Sequence, residues 1–263
     1  MINWLYSLPE VLLIGMASGL LAALMTVLPR LVQRLPVLAP ADAHTDFVVR
    51  VQATLFTMNS LMLAFTLVEA DGNFRRADAL VSGEASQIDR LDRLLTRYGD
   101  PAALELRPDL RAYARSIIED DWPRMIVGGE SEKTRQAFTP ISRGILALTP
   151  SPGRQTEIYS GILRAFDAVA EARDARLNAA GDGLPALYWI VVLFAAGMLL
   201  LVSSTMQVTP FRAVILGCQA AVLGAFIGFV FVMDQPFKGD TSVGTEHYVR
   251  ALKHMNGRPA PSP

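Results

Sequence analysis

The chain has 263 residues, 51% of them hydrophobic, a mean hydropathy of +0.31 and a formal net charge of −1. A soluble domain of this length rarely carries so positive a mean, so the composition points to a membrane protein. The near-zero charge balance removes the electrostatic basis for nucleic-acid binding, and the single Cys218 leaves no internal disulfide and no thiolate set for a metal.

The charges are unevenly placed. Between Glu69 and Asp182 stand 16 Lys and Arg and 19 Asp and Glu, so one chain joins an apolar part to a charged, water-facing part. Four stretches are apolar over the roughly 17–25 residues that a helix needs to cross a bilayer: residues 11–28, 51–68, 184–208 and 213–233. Backbone groups in hydrocarbon must pair within their own segment, so each is expected to be helical. No Lys or Arg precedes the first stretch and no small-residue cleavage pattern closes it, so it reads as an anchor rather than a cleaved leader. Flanking charge gives two answers on orientation. Arg30 and Arg34 favour a cytoplasmic loop after the first span; Lys238, Arg250, Lys253 and Arg258 favour a cytoplasmic C-terminal segment, which four spans place on the other side. The side stays open.

The block between the second and third spans, residues 69–183, reads as helices. A heptad seam runs Phe74, Ala77, Val81, Glu84, Ile88, Leu91, Leu95, Tyr98 and ends at the turn signal Gly99-Asp100-Pro101. Pro108-Asp109 is expected to open a second helix towards Trp122-Pro123, broken by Gly128-Gly129, and a shorter helix covers about residues 130–148. Ser151-Pro152 reads as the cap and first turn of a further helix, whose seam carries Tyr159, Ile162, Phe166, Val169, Arg173 and Arg176. The expected picture is two long helices that continue the second and third spans beyond the membrane, with shorter helices between them. The domains are then 1–68, 69–183, 184–233, and 234–263 as a corner and a flexible tail.

No catalytic constellation emerges, and the chain is not expected to be an enzyme. His44, His247 and His254 are isolated and fit no zinc pattern; there is no nucleophile elbow, P-loop or dinucleotide fingerprint, and no cofactor or metal is expected. Small residues recur instead. Gly217, Ala221, Gly224 and Gly228 share one side of the fourth span, and Gly15 and Gly19 one side of the first, as where helix backbones approach closely within or between subunits. Glu84 occupies an apolar seam position, where a carboxylate is costly unless paired. If both long helices rise side by side, Glu84 and Arg173 are offset by about 7 Å at about 1.5 Å per residue, so a clamp to Arg173 or Arg176 is within reach; a seam opening to water at that turn is the alternative. The spans hold no charge, which argues against proton relays but leaves a pore with an apolar constriction. Asn59, Met62, Leu63 and Thr66 are the lining candidates, with ordinary helix packing as the other reading of the same stripe.

Several runs resemble one family. Leu63-Ala64-Phe65-Thr66 leading to Phe74-Arg75-Arg76, then Val81-x-x-Glu84-Ala85 and Ile88, is similar to the bacterial bestrophin-like proteins, as are Ala175-Arg176-Leu177 with Leu184-Pro185 and Trp189, and Asp234-x-Pro236-Phe237-x-Gly239 after the fourth span. The resemblance implies an all-α membrane protein with four transmembrane helices and an extramembrane helical domain inserted between the second and third. It implies a multi-pass protein of the bacterial inner membrane and a homo-oligomer, pentameric in bestrophins. It further implies a channel for chloride or another small anion, lined by the second span, with Asp234, Pro236, Phe237 and Gly239 as a structural corner. After Phe237 the chain reads Lys238-Gly239-Asp240-Thr241, without the acidic run that calcium gating would need. A non-conducting, membrane-anchored helical module for signalling or protein interaction is the rival expectation.

Overall fold

The computed structural model describes residues 8–35, 45–127, 129–181, 183–207 and 209–259. Among these, all regular structure is helical: α1 (Glu10–Val32), α2 (Thr45–Tyr98), α3 (Pro101–Ser116), a π-helical turn (Ile117–Asp121), α4 (Trp122–Val127), α5 (Glu132–Ala147), α6 (Arg154–Ala179), α7 (Ala186–Ser204), α8 (Pro210–Met233) and α9 (Glu246–Gly257). Helices α1, α2, α7 and α8 are long and apolar enough to cross a membrane. The chain divides into two compact units, Met1–Phe74 with Gly183–Thr241, and Arg75–Asp182 with Ser242–Pro263. Helix α2 contributes to both.

The first unit holds the four apolar helices. Gly224 and Gly228 of α8 lie against the backbone of α1: a Cβ at Gly224 would stand 2.5 Å from the Ala17 carbonyl oxygen, and one at Gly228 2.9 Å from the Ile14 Cα. Missing side chains thus allow the close approach, and Ser18 Oγ donates to the Ala221 carbonyl across it (2.8 Å). In hydrocarbon such packing replaces the hydrophobic drive that lipid cannot supply. Gly15, Gly19 and Gly217 behave differently, since a Cβ on any of them meets nothing within 4 Å. They are not packing glycines within the protomer, because they lie off the side on which α1 and α8 touch. The remaining core joins Leu63 to Val192, Ala196, Leu199 and Leu223, and Met25 to Leu200 and Ala220. Gln33 Nε2 donates to the carbonyls of Ser204 (3.1 Å) and Met206 (2.8 Å), satisfying a free carbonyl at the end of α7 and one in the turn that follows it.

The second unit is a water-type helical bundle. The α2 seam is buried from Ala77 through Val81, Ile88, Leu91, Leu95 and Tyr98, as its heptad spacing requires. Helix α3 starts earlier than expected: Asp100 accepts from the Ala102 N–H (2.9 Å), Pro101 takes the first helical position, and Pro108 lies inside the helix. Asp-Pro is a stronger start than Pro-Asp because the acid must precede the free N–H groups that it caps. Gly99, at φ +78°, makes the preceding turn. Helix α6 begins after Gly153 (φ +97°) rather than at Pro152. Helices α6 and α7 are separate, with residues 183–185 outside any helix, so the second long helix expected through the third span is interrupted. In the C-terminal segment, expected as a flexible tail, α9 buries Tyr248, Ala251 and Met255 at the 3–4 spacing of an amphipathic helix. The break at Gly128 and the position of His44 lie outside the described residues.

Candidate functional site

Two faces of α2 matter. Helical winding places Asn59, Leu63 and Thr66 on one side, and all three are buried, with Met62 half-buried beside them. Asn59 Nδ2 donates to the Ala195 carbonyl of α7 (3.2 Å) and to Leu55 O (2.9 Å), and Thr66 Oγ1 to Met62 O (2.9 Å). The stripe expected as a pore lining therefore packs inside the protomer. Physically, an amide that is expensive in hydrocarbon is placed where another helix offers a carbonyl. Roughly half a turn away on the same helix, Arg50, Thr54, Thr57, Leu61, Ala64 and Val68 recur at alternating spacings of four and three, and all six are exposed. The hydroxyls of Thr54 and Thr57 fold back to the carbonyls of Arg50 (3.0 Å) and Ala53 (2.9 Å), so each donor has a partner within its own helix.

The corner after α8 stands on two carboxylates. Asp234 accepts from the Leu184 N–H and from Trp189 Nε1 (3.4 Å), tying the end of α8 to the start of α7. Pro236 and Phe237 are buried, and Gly239 has φ +88°, a conformation that favours glycine. Glu10, in the first turn of α1, accepts from both the Thr241 N–H (2.6 Å) and the Thr241 hydroxyl. Its charge also suits the positive end of that helix. The corner is legible in the sequence, but its Glu10 partner, 231 residues away from Thr241, is not.

In the helical unit a closed charge cluster surrounds Glu84. Arg176 Nε donates to Glu84 Oε2 (2.6 Å) and Arg176 Nη2 to Asp121 Oδ2 (2.8 Å), with all three side chains fully buried. Tyr248 donates to Glu84 Oε2 (2.7 Å) and Tyr113 to Glu84 Oε1 (3.2 Å), while the Ser131 N–H supplies Asp121 Oδ1 (2.8 Å). Two carboxylates thus face one guanidinium, and phenol and amide donors satisfy the excess negative charge. Burial pushes both phenols well above their ordinary range, and the Glu84 charge adds to the shift. For Arg176 burial acts downward, but Glu84, Tyr248 and Asp121 together outweigh it and keep the guanidinium charged. Arg173, the other candidate for the clamp, turns instead to Glu130. One turn along α6 separates the two arginines, and Arg176 is the one level with Glu84.

Asp121, Tyr113 and Tyr248 were not legible as members of this cluster. An α-helical path from Tyr113 would leave Asp121 about 80° off its side of the helix, and the wider π turn at residues 117–121 winds it back. A second cluster also escaped the sequence. Asp92 takes a two-point contact from Arg107 (2.8 and 3.3 Å) and a further one from Arg258, which also reaches Asp89 (2.8 Å). Arg107 and Arg111 donate to the Met255 carbonyl (3.4 and 2.9 Å), capping the C-terminal end of α9. His247 lies 3.2 Å from Asp78 and is not isolated; His254 is exposed.

A family model described as Bestrophin-like domain matches residues 16–248. A crystal structure described as that of a membrane protein superposes with a TM-score of 0.63 at 12% identity, covering 92% of this chain and 98% of that one. At that identity it establishes a shared fold alone. No curated protein matches the sequence.

Proposed function

The chain belongs to the Bestrophin-like domain family, and on that premise we propose that this multi-pass membrane protein is an oligomeric channel for small anions, chloride first among them, in a bacterial inner membrane. The observation that carries the reading is the exposed seam of α2. Elsewhere the spans turn large apolar side chains outward, such as Leu20, Leu193, Phe194 and Phe226, as lipid contact requires. The seam instead offers Thr54, Thr57 and Ala64, with Leu61 and Val68 as apolar rings and Arg50 at one end. Copies of α2 arranged about an axis would bring these residues to it. Small polar rungs pass a hydrated ion, apolar rings gate by dewetting, and a guanidinium at the mouth favours anions.

The test is chloride flux from liposomes holding purified, correctly inserted protein. Wild type is expected to conduct above protein-free vesicles. Thr57→Phe on the seam should suppress the flux, and Leu193→Phe, on an outward face of α7, should not. Silence from inserted protein would replace the channel with the non-conducting helical anchor.

A further inference from the structure

A groove of about 300 Å³ runs between one face of α2 and one face of α9 in the helical unit. Its floor is made by Ala85 and Ala251, small enough to leave the space to longer neighbours. Ser82 and Ser86 line it from α2, four residues apart, and His247, Arg250 and His254 line it from α9 at the spacing of one helix face. Within the described residues Ser82, Ser86, Arg250 and His254 have no hydrogen-bond or ion-pair partner. Asp89 and Arg93 complete the lining, and the carboxylates at the groove are already engaged. Asp89 binds Arg93 and Arg258, and Asp78 binds His247. The groove is therefore an open concave surface of donors without a protein partner around the Arg250 guanidinium, at the small end of the volumes that ligand sites occupy.

The geometry points to a binding site for a tetrahedral oxyanion: a phosphate ion, or the phosphate group of a small ester. Such a group needs several donors from different directions and a positive charge, and a guanidinium offers it a two-point contact. Arg250 and His254 supply the contact from one wall, and the Ser82 and Ser86 hydroxyls from the other. A halide, being spherical and weakly hydrogen-bonding, would leave most of these donors unused. The site belongs to the extramembrane unit and is independent of the channel reading.

Calorimetric titration of the purified full-length protein in detergent with inorganic phosphate, and separately with phosphoserine, tests it. One saturable site per protomer is expected. Arg250→Gln and His254→Gln should each weaken binding about tenfold or more, as the loss of one charge-assisted contact implies. Ser82→Asp should abolish binding by adding an unpaired carboxylate to the groove, unlike Asp89, which Arg93 and Arg258 hold, and Arg164→Gln, on exposed α6 surface, should leave it unchanged. Arg250 and His254 are exposed, so their variants should melt with wild type. Tighter binding of phosphoserine would assign the site to a phosphate ester, and equal or weaker binding to the free ion. No saturable heat, displacement of phosphate by equimolar chloride, or affinity indifferent to both Arg250→Gln and Ser82→Asp would overturn the assignment.

Discussion

Removing Arg176 should damage the protein far more than removing the charge of Glu84. Arg176→Leu leaves Glu84 and Asp121 as two fully buried carboxylates with no cation between them. Breaking a buried pair from one side costs about 3–5 kcal/mol, and here two charges are stranded. Glu84→Gln removes one charge-assisted bond, worth about 1.5–3 kcal/mol, but Arg176 keeps Asp121 at 2.8 Å and the cluster becomes neutral. Tyr113 and Tyr248 can rotate their hydroxyls to serve the amide. At about 2–4 °C per kcal/mol for a chain near this size, the two variants should differ by several degrees in apparent melting temperature. Unfolding in detergent is to be compared at one scan rate, because it is often irreversible. Exchanging the charges, Glu84→Arg with Arg176→Glu, should not restore stability, since the new carboxylate at 176 would face Asp121. Equal losses from Arg176→Leu and Glu84→Gln, or a full rescue by the exchange, would refute this charge accounting.

Alkaline pH should destabilise the helical unit through its buried phenols. Tyr113 and Tyr248 ionise in the folded state only well above the ordinary value of 10.0, so their contribution is complete below that value and is lost as pH rises towards the folded values. The unfolded chain releases those protons first, at about 1.4 kcal/mol per proton per pH unit, and Tyr113→Phe with Tyr248→Phe should flatten the fall seen in melting scans between about pH 9.5 and 11. Gly224→Ala should weaken the α1–α8 contact by about 1–3 kcal/mol through overpacking against the Ala17 backbone, while Gly217→Ala, with nothing within 4 Å, should melt as wild type does. A parallel melting series in one detergent separates the two glycines.

By itself the sequence determined what local pattern and water can dictate. Hydrocarbon leaves backbone groups no partner outside the segment, so the four apolar stretches had to be helices, and the heptad seam from Ala77 to Tyr98 had to be buried. Glu84 on that seam called for either a cation or an opening to water, because a carboxylate in an apolar row is too costly alone. The tertiary structure decided for a cation, and which one. Arg176 rather than Arg173 is level with Glu84, the π turn winds Asp121 towards it, and α9 brings Tyr248 from 164 residues away. The same holds in the membrane unit. A helix seen in isolation shows that it has a polar stripe and a small-residue stripe, but not which of them a neighbour covers. Only the packing of α7 and α8 on α2 turned Asn59 and Thr66 inward and left Thr54, Thr57 and Ala64 facing out, because burial is a property of the partner surface as much as of the residue.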